Sequence, residues 1–495
     1  MVTGKSWARW VKAALAASAL TAMVALPAGG AGATAIPTPP APTSPTAPCD
    51  AISPIAIPCV ALNKVTDAVD AECRRVGVPD ALCILPLAHK VTQAARNAYL
   101  QSWVHRTAQF QYDLGNQVPL RDAQWIGTHN SFNSLSDVGA LLNTLTLSHA
   151  DSNQQLSLAQ QLDIDVRALE LDLHYVPRLE LLGGKAVTVC HGQGDVGCTT
   201  EPTLATVLPE IASWLNAPGH GDQVIMLYLE DQLKGNAAAY SSTIATLDKV
   251  LRRPDGSSLI YRPNPTQHAS NGCTPLPLDA TRAGIRASGA QVVIVGSCAP
   301  GLSADVFDWN STHVESGSTS GYQPYPACDA TYNASVYSSK MVRYFEDSTL
   351  VSTLLNPTRP PADPEALTPL KVQSMTNCGV NLFGFDQLLP EDGRIQGTLW
   401  SWAPDQPVAG AGNCTLQGAD SRWVAASCAA THPAACQASD GSWSVTPTAV
   451  TFDDAEAACA AQGASFGLPR TGDENSALHV LSDPVGGAWI NYRLT

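Results

Sequence analysis

Six polar side chains able to do acid–base or metal chemistry lie in or directly after four short apolar runs. They are His129, Asn130, Glu170, Asp172, His191 and Glu230. Two imidazoles can transfer protons near neutral pH, and three carboxylates with a carboxamide offer the oxygen atoms that a hard divalent cation prefers. Together they suit phosphodiester cleavage. A cation would offset the phosphate charge, one histidine would stabilise the phosphorane, and the other would protonate the leaving alkoxide.

The run "ALELDL" places two of these carboxylates beside each other. In a strand, side chains alternate between faces, so Glu170 and Asp172 share one face and Leu169, Leu171 and Leu173 the other. Two inward carboxylates repel each other unless a cation lies between them. The flexible oxygen coordination of Ca²⁺ suits this set better than the strict octahedron of Mg²⁺. The alternative is an exposed edge strand, which the apolar residues on both sides disfavour.

Two of the other candidates have competing interpretations. His191 stands between Cys190 and Cys198, whose spacing permits a small disulfide loop. Such a loop could serve stability alone, or it could also fix the histidine. In "LYLED", Asp231 is a rival to Glu230, although Glu230 is in better register with a strand.

Alternating apolar runs and helical stretches predict an α/β fold with a TIM-type (β/α) barrel over residues 119–400. The strand candidates are "AQWIG", "IDVRALELDL", "AVTVC", "QVIMLYLE", "AQVVIVGS" and "VNLFGFD", and helix candidates include "TLATVLPEIASWLN" and "NAAAYSSTIATLDKVL". A doubly wound sheet is the alternative, but no Gly-rich phosphate loop follows the first strand. In a barrel, the carboxyl ends of the strands share one rim. This arrangement favours a functional role for His129 over a turn residue alone.

The regions around the barrel predict an exported protein. Residues 1–35 have the positive start, apolar run and small-residue end of a secretory signal peptide, and no later run is long enough to cross a membrane. A Pro/Thr linker (36–48), a disulfide-braced helical cap (49–118) and a small disulfide-rich α+β domain (401–495) are also expected. The 14 cysteines are an even number, as disulfide pairing in an exported protein would require.

The net charge of −15 disfavours binding to nucleic acid and tight adsorption to an anionic membrane. Nucleic-acid binding depends mainly on neutralising phosphates, and adsorption to an anionic membrane needs a polybasic patch. The sequence contains no run of Lys or Arg that could form one.

The four motifs "GTHNSF", "VRALELDL", "VCHG" and "LYLED", in this order, resemble the catalytic X region of phosphatidylinositol-specific phospholipase C. The resemblance covers about residues 119–400 and implies that His129 and His191 are the catalytic pair. The calcium-dependent branch of that family implies a Ca²⁺ ion held by Asn130, Glu170, Asp172 and Glu230. The calcium-independent bacterial branch is expected to carry a basic residue in place of the metal.

The resemblance implies cleavage of phosphatidylinositol to diacylglycerol and inositol 1,2-cyclic phosphate during transient contact with a membrane surface. The inositol 2-hydroxyl would attack phosphorus with the assistance of Ca²⁺, and Glu170 is the preferred base. His129 would stabilise the pentacoordinate charge and His191 would protonate the leaving diacylglycerol oxygen. Two alternatives stay open: a phosphodiesterase acting on glycerophosphodiesters or sphingomyelin, and a surface-binding module without catalytic activity.

The two halves of the tail resemble those of a C-type-lectin-like domain in reversed order, as in a circular permutation. This resemblance implies the disulfides Cys414–Cys428 and Cys436–Cys459. The sugar-binding calcium motifs of that family are missing, which favours a structural or protein-contact role over sugar binding.

Overall fold

A curled sheet of parallel strands carries the candidate site residues at one end. The computed structural model describes residues 93–134, 152–178, 183–191, 198–199, 201–319, 321–328, 339–347, 367–390 and 392–494. Residues 1–92 lie outside the described residues. They include the predicted signal peptide, the predicted linker and the first four cysteines.

The main sheet contains ten strands. They are β1 (Trp125–Thr128), β2 (Ala168–Pro177), β3 (Lys185–Val189), β4 (Ile225–Asp231), β5 (Ile260–Tyr261), β6 (Val292–Gly296), β7 (Phe307–Asp308), β8 (His313–Ser316), β9 (Met341–Phe345) and β10 (Leu382–Phe385). Eight of them lie in the order β5-β6-β4-β2-β1-β10-β9-β8 with every neighbouring pair parallel, and β7 pairs with β6. The predicted α/β class is confirmed, as a parallel half-barrel of the TIM type.

All six strands predicted from apolar runs are present, and β5, β7, β8 and β9 were not predicted. Two of these are two residues long, while "HVES" and "MVRYF" carry charged residues that interrupt an apolar run.

Helices cover the outside of the sheet. They are α1 (Gln93–Leu100), α2 (Trp103–Leu114), α3 (Leu158–Asp163), α4 (Leu204–Leu215), α5 (Ala237–Val250), α6 (Arg282–Ala287), α7 (Pro369–Asn377) and α8 (Gly393–Gly397). Helices α4 and α5 match the two predicted stretches. Helix α4 buries Leu204, Val207, Leu208, Ile211 and Leu215, the spacing of one helical face packed against a core. Among the described residues, no helix combines the length and apolar character needed to cross a membrane.

The direction of β3 differs from the sequence prediction. We expected "AVTVC" to be a parallel barrel strand, but β3 is antiparallel to β2, from Leu173↔Val189 to Pro177↔Lys185. The reason is that β2 is ten residues long and extends beyond the barrel, so the chain can turn back along it as a hairpin. The returning strand ends at Val189, and the next residue, Cys190, donates its N–H to the Asp172 carbonyl at 3.1 Å.

Helices α1 and α2 lie at the end of the barrel away from the carboxyl rim. A helical cap was predicted here, and its described part forms two helices. The chain breaks at Ser102, whose side chain accepts a hydrogen bond from the His105 N–H and caps α2. The Tyr112 hydroxyl donates to the Val224 carbonyl at 3.0 Å, immediately before β4. The described part of the predicted cap therefore packs at the amino-terminal end of the strands.

The carboxyl-terminal region forms two small antiparallel sheets and two helices. These are β11 (Cys414–Gln417), β12 (Trp423–Ala426), β13 (Ala435–Gln437), β14 (Trp443–Val445), β15 (Ser465–Phe466), β16 (Ala488–Arg493), α9 (Ala455–Ala460) and α10 (Gly472–Ser482). Strand β11 pairs with both β12 and β16, so the first and last parts of this region share one sheet. Both implied disulfides, Cys414–Cys428 and Cys436–Cys459, are present. The likeness to a permuted C-type lectin stays a prediction.

Candidate acid–base and metal-binding site

The first strand delivers His129 to the carboxyl rim, where Asp386 holds it. The His129 N–H donates to the Phe385 carbonyl at 3.1 Å, and Nδ1 lies 3.2 Å from Oδ1 of Asp386. Burial opposes the charged form, but the charges of Asp386 and Glu170 raise the pKa of His129 to about 9. At neutral pH the ring is therefore an imidazolium. Its Nδ1 is directed to Asp386, and its Nε2 lies 3.3 Å from the Asn130 amide.

Asn130 forms a tight corner that connects the histidine to the second strand. Its φ of 45° lies in the left-handed region, which Asn tolerates better than most residues. Ser131 then donates its N–H to the Glu170 carbonyl at 3.1 Å, and its Oγ accepts the Glu170 N–H at 2.8 Å. The turn residues of "GTHNSF" thus fix the distance between His129 and the acidic strand.

The three predicted carboxylates form one cluster. Oxygens of Glu170, Asp172 and Glu230 lie within 4.8 Å of one another. Glu170 and Asp172 project from one face of β2, and Asp172 is paired with Glu230 on β4. Burial, followed by the charges of Glu170 and Glu230, raises the pKa of Asp172 well above its ordinary value. A cluster of this kind could bind a metal ion, because a cation would relieve the repulsion that raises this pKa.

Two positively polarised groups already contact the cluster. The Asn130 amide, with its nitrogen turned to Asp172, donates to the two carboxylate oxygens at 2.9 and 3.1 Å. The other end of this amide is 3.3 Å from Nε2 of His129. On the other side, Nη2 of Arg343 donates to Oε2 of Glu170. The residues present therefore fit a cation, because the cluster attracts positive charge from two directions.

Arg343 is a site residue that the sequence reading missed. It lies on β9, is 4% exposed, and also donates through Nη1 to Glu315 at 2.8 Å. Burial raises the pKa of Glu315, but the hydrogen bond from His313 and the charge of Arg343 outweigh this effect and lower it to about 2. Arg343 therefore bridges two carboxylates, Glu170 and Glu315. The sequence gives little reason to predict Arg343 as a site residue, because it is a single Arg in the short run "MVRYF" and β9 itself was not predicted.

Asp386 was also missed, although its sequence signal was available. It is the last residue of the predicted strand "VNLFGFD", and His129 follows β1 in the same way. The rule that polar residues at strand ends meet at the rim therefore selects Asp386 as well as His129.

His191 reaches the same edge of β2 as the Asn130 corner. The Glu170 carbonyl accepts the Ser131 N–H, and two residues further on the Asp172 carbonyl accepts the Cys190 N–H, each at 3.1 Å. The disulfide between Cys190 and Cys198 is present, and Cys190 directly precedes His191. The hairpin thus joins the residue before His191 to the backbone of Asp172, although not by the parallel strand that the sequence suggested.

The charge of His129 predicts a pH-dependent stability. Because the folded-state pKa is about 9 and the ordinary value is 6.5, the stabilisation is fully present below pH 6.5 and is lost as pH rises through 9. The shift corresponds to about 3 kcal/mol. Denaturant unfolding of the metal-free protein should show this decrease between these pH values. Asp386→Asn should flatten the dependence, and an equally steep dependence in that variant would contradict it.

Comparisons with known proteins identify the family of the chain. Residues 84–392 match the family model described as the Rv2075c PI-PLC-like domain. The chain is 70% identical over 450 residues to a protein of Mycobacterium tuberculosis strain H37Rv named "Uncharacterized protein Rv2075c", covering 90% of this chain and 91% of that one. The chain belongs to the Rv2075c PI-PLC-like family. The same identity and coverage hold for "Uncharacterized protein MT2135" of strain CDC 1551.

Solved structures with a partial likeness include two bacterial proteins. The phosphatidylinositol-specific phospholipase C of Listeria monocytogenes is 15% identical, with a TM-score of 0.39 over 59% of this chain and 97% of that chain. A calcium-dependent phosphoinositol-specific phospholipase C of a Pseudomonas species is 14% identical, with a TM-score of 0.30 over 55% of this chain and 91% of that chain. The region matched by the Rv2075c PI-PLC-like family model includes all six predicted site residues, together with Arg343 and Asp386.

In this member of the Rv2075c PI-PLC-like family, replacing Arg343 should destabilise the metal-free protein strongly. Arg343→Met leaves Glu170 buried without its cationic partner, and breaking a buried ion pair costs about 3–5 kcal/mol. Added Ca²⁺ should restore more stability to this variant than to the wild type, because the ion then meets an uncompensated carboxylate. Denaturant unfolding with Ca²⁺ and with a chelator measures both effects. Arg343→Lys, which keeps the charge, should lose less, and equal losses in the two variants would contradict the account.

Proposed function

We propose that this chain is a secreted phosphatidylinositol phospholipase C that releases inositol 1,2-cyclic phosphate and diacylglycerol. The observation that carries the proposal is the geometry at His129. Asp386 holds Nδ1, and Nε2 lies beside the Asn130 amide and the carboxylate cluster. An imidazolium and a buried acidic cluster at one barrel rim are the groups that an attack on a phosphodiester requires. The family match supports the same chemistry.

Each histidine has one role in the proposed reaction. His129 donates from Nε2 to a phosphoryl oxygen, so that its charge, maintained by Asp386, offsets the charge that develops in the pentacoordinate state. His191 protonates the departing glycerol oxygen. Glu170 accepts the proton of the inositol 2-hydroxyl. Arg343 contacts Oε2 of Glu170, which leaves Oε1 for this transfer.

Asn130, Glu170, Asp172 and Glu230 are the residues that would hold Ca²⁺. When bound, the ion would offset the phosphoryl charge and make the attacking hydroxyl more acidic. Its proposed presence rests on the donor set: three carboxylates whose oxygens lie within 4.8 Å of one another, and the Asn130 amide, whose nitrogen faces Asp172 and whose oxygen would turn toward the ion on binding.

The Arg343 contact favours a second mode for the same reaction. The guanidinium group already offsets the charge of Glu170, as an added cation would. In that mode Arg343 supplies the positive charge and cleavage continues in a chelator. In this alternative the reaction is the same, and only the group that supplies the positive charge differs.

The headgroup we propose is inositol without ring phosphates. At the described part of the rim, the cation nearest the cluster is Arg343, and two carboxylates already engage it. Additional ring phosphates would meet an acidic site with no spare cation to compensate them. Secretion and brief contact with a membrane surface complete the proposal, and the five disulfides among the described residues are consistent with an oxidising compartment.

A substrate panel tests the proposal. Vesicles of phosphatidylinositol, its bisphosphate form or sphingomyelin, and a soluble glycerophosphodiester, would be incubated with the purified protein and Ca²⁺. We expect release of inositol phosphate from phosphatidylinositol to be fastest. Faster cleavage of the bisphosphate would overturn the headgroup proposal, preference for either of the last two substrates would favour another phosphodiesterase, and no cleavage would favour a binding module.

A further inference from the structure

A buried group of charges lies behind Asp386 and does not reach the carboxylate cluster. It consists of Glu346, directly after β9, and Arg394 in the first turn of α8, with Asp392 beside the arginine. Glu346 is 4% exposed and Arg394 is 7% exposed. Burying three charges costs more free energy than a well-packed apolar group would, so stability alone is a weak reason for their presence.

Glu346 connects three elements through its carboxylate and its backbone. Oε2 accepts the Asp386 N–H at 2.8 Å, and Oε1 accepts the Leu367 N–H at 2.8 Å, just before α7. The Glu346 N–H donates to the Gly384 carbonyl at 2.9 Å. Glu346 therefore fixes three parts of the chain relative to one another: the end of β9, the segment before α7 and the end of β10.

Arg394 holds the other side of the same peptide segment. Nη2 donates to the Asp386 carbonyl at 2.9 Å and to the Gln387 carbonyl at 3.3 Å. Nε is 2.9 Å from both carboxylate oxygens of Asp392, and Nη1 donates to Glu346. The planar fork of the guanidinium group makes all these contacts at once, which a lysine could not do.

The main chain of Asp386 is thus held at both its N–H and its carbonyl, and its side chain contacts His129. The contacts from Asp386 to Nδ1 of His129 are 3.2 and 3.4 Å, near the long end for a hydrogen bond. A small displacement of Asp386 would lose them. Gln154 adds a further restraint, since Nε2 donates to the His129 carbonyl at 2.7 Å and to the Phe385 carbonyl at 2.8 Å.

We propose that Glu346 and Arg394 are positioning residues that set the orientation of the His129 ring by holding Asp386. The contact geometry carries this inference, and only its consequence for turnover rests on the proposed function. Groups that orient an active residue through a hydrogen-bonded intermediate typically change activity about 10- to 100-fold when removed. We therefore expect Glu346→Gln to lower kcat by about this factor without a matching rise in KM.

The test combines nuclear magnetic resonance with kinetics on the full chain. The signal of the His129 Nδ1 proton, assigned by its absence in His129→Gln, reports the hydrogen bond to Asp386 whether or not the protein is an enzyme. We expect Glu346→Gln and Arg394→Lys to shift or broaden this signal and to lower kcat. Arg394→Lys keeps the charge, so it serves as the second variant if Glu346→Gln does not fold.

Asp305→Asn is the matched control. Asp305 is a fully buried carboxylate paired with Arg262, on the part of the wall formed by β5 to β7. It should lose stability but keep the His129 signal and kcat. An unchanged His129 signal in both test variants would overturn the positioning role, as would equal kcat losses in the control. A shifted signal in a protein that cleaves no phosphodiester would instead overturn the proposed function and leave the positioning role in place.

Discussion

His129→Ala should lower kcat for phosphatidylinositol cleavage about 1,000-fold, within the range for loss of a positioned acid–base group. The reason is the charge of this ring. Asp386 and Glu170 raise the pKa of His129 to about 9 against the effect of burial, so in the proposed reaction an imidazolium would face the phosphoryl group at neutral pH. Alanine removes both the charge and the Nε2 donor. Initial rates on vesicles, with folding checked by circular dichroism, measure this loss.

Two comparisons make this result specific. His220 lies in the segment before β4, where its ring stacks on Trp214. His220→Ala should therefore keep nearly full kcat. His191→Ala should recover most of its rate on a phosphodiester with a nitrophenolate leaving group, which needs no proton, whereas His129→Ala should not. A small loss in His129→Ala, or equal recovery of both variants, would contradict the assigned roles.

Asp172→Asn should abolish the response to Ca²⁺ and stabilise the protein in its absence. In the wild type, the pKa of Asp172 is raised by burial and by the neighbouring Glu170 and Glu230, so its ionised form destabilises the metal-free fold. A neutral amide of similar shape removes that repulsion. It also removes a ligand, so the stabilisation of about 2.7 kcal/mol expected at a Ca²⁺ concentration 100 times Kd should disappear. Thermal unfolding with Ca²⁺ and with a chelator measures both changes.

Asp231→Asn is the control for this prediction and also tests the rival ligand. Asp231 accepts hydrogen bonds from the Tyr240 hydroxyl at 2.7 Å and the Leu233 N–H at 2.8 Å, so its carboxylate is engaged outside the cluster. This variant should keep the Ca²⁺ response. If Asp231→Asn loses the response and Asp172→Asn keeps it, the carboxylate cluster is not the ion site.

The site could be predicted from the sequence where local pattern determines geometry. The period of a strand placed Glu170 and Asp172 on one face, and the end of an apolar run placed His129 at the rim. Arg343 could not be predicted in this way, because its role depends on pairing with a carboxylate 173 positions away in sequence. The reversed direction of β3 has a similar cause, since strand direction depends on tertiary pairing rather than on the residues of the strand itself.

The structure also changes what the resemblance alone would suggest about the cation. The acidic residues Glu170, Asp172 and Glu230 are those that the resemblance implies for the calcium-dependent branch. The same site contains both these carboxylates and a buried arginine, so the features expected of the two branches occur together. Activity measured with and without Ca²⁺ therefore distinguishes the ion from Arg343 as the cation of the site.

The central measurement is the formation of inositol 1,2-cyclic phosphate from phosphatidylinositol vesicles, followed by ³¹P nuclear magnetic resonance with Ca²⁺ or with a chelator. Wild-type protein, His129→Ala and His191→Ala would be compared at equal concentration. The account predicts cyclic phosphate from the wild type in Ca²⁺, very little in chelator, and very little from either variant. Undiminished product in chelator would contradict the calcium site and favour Arg343 as the cation, and no cyclic phosphate under any condition would contradict the proposed reaction.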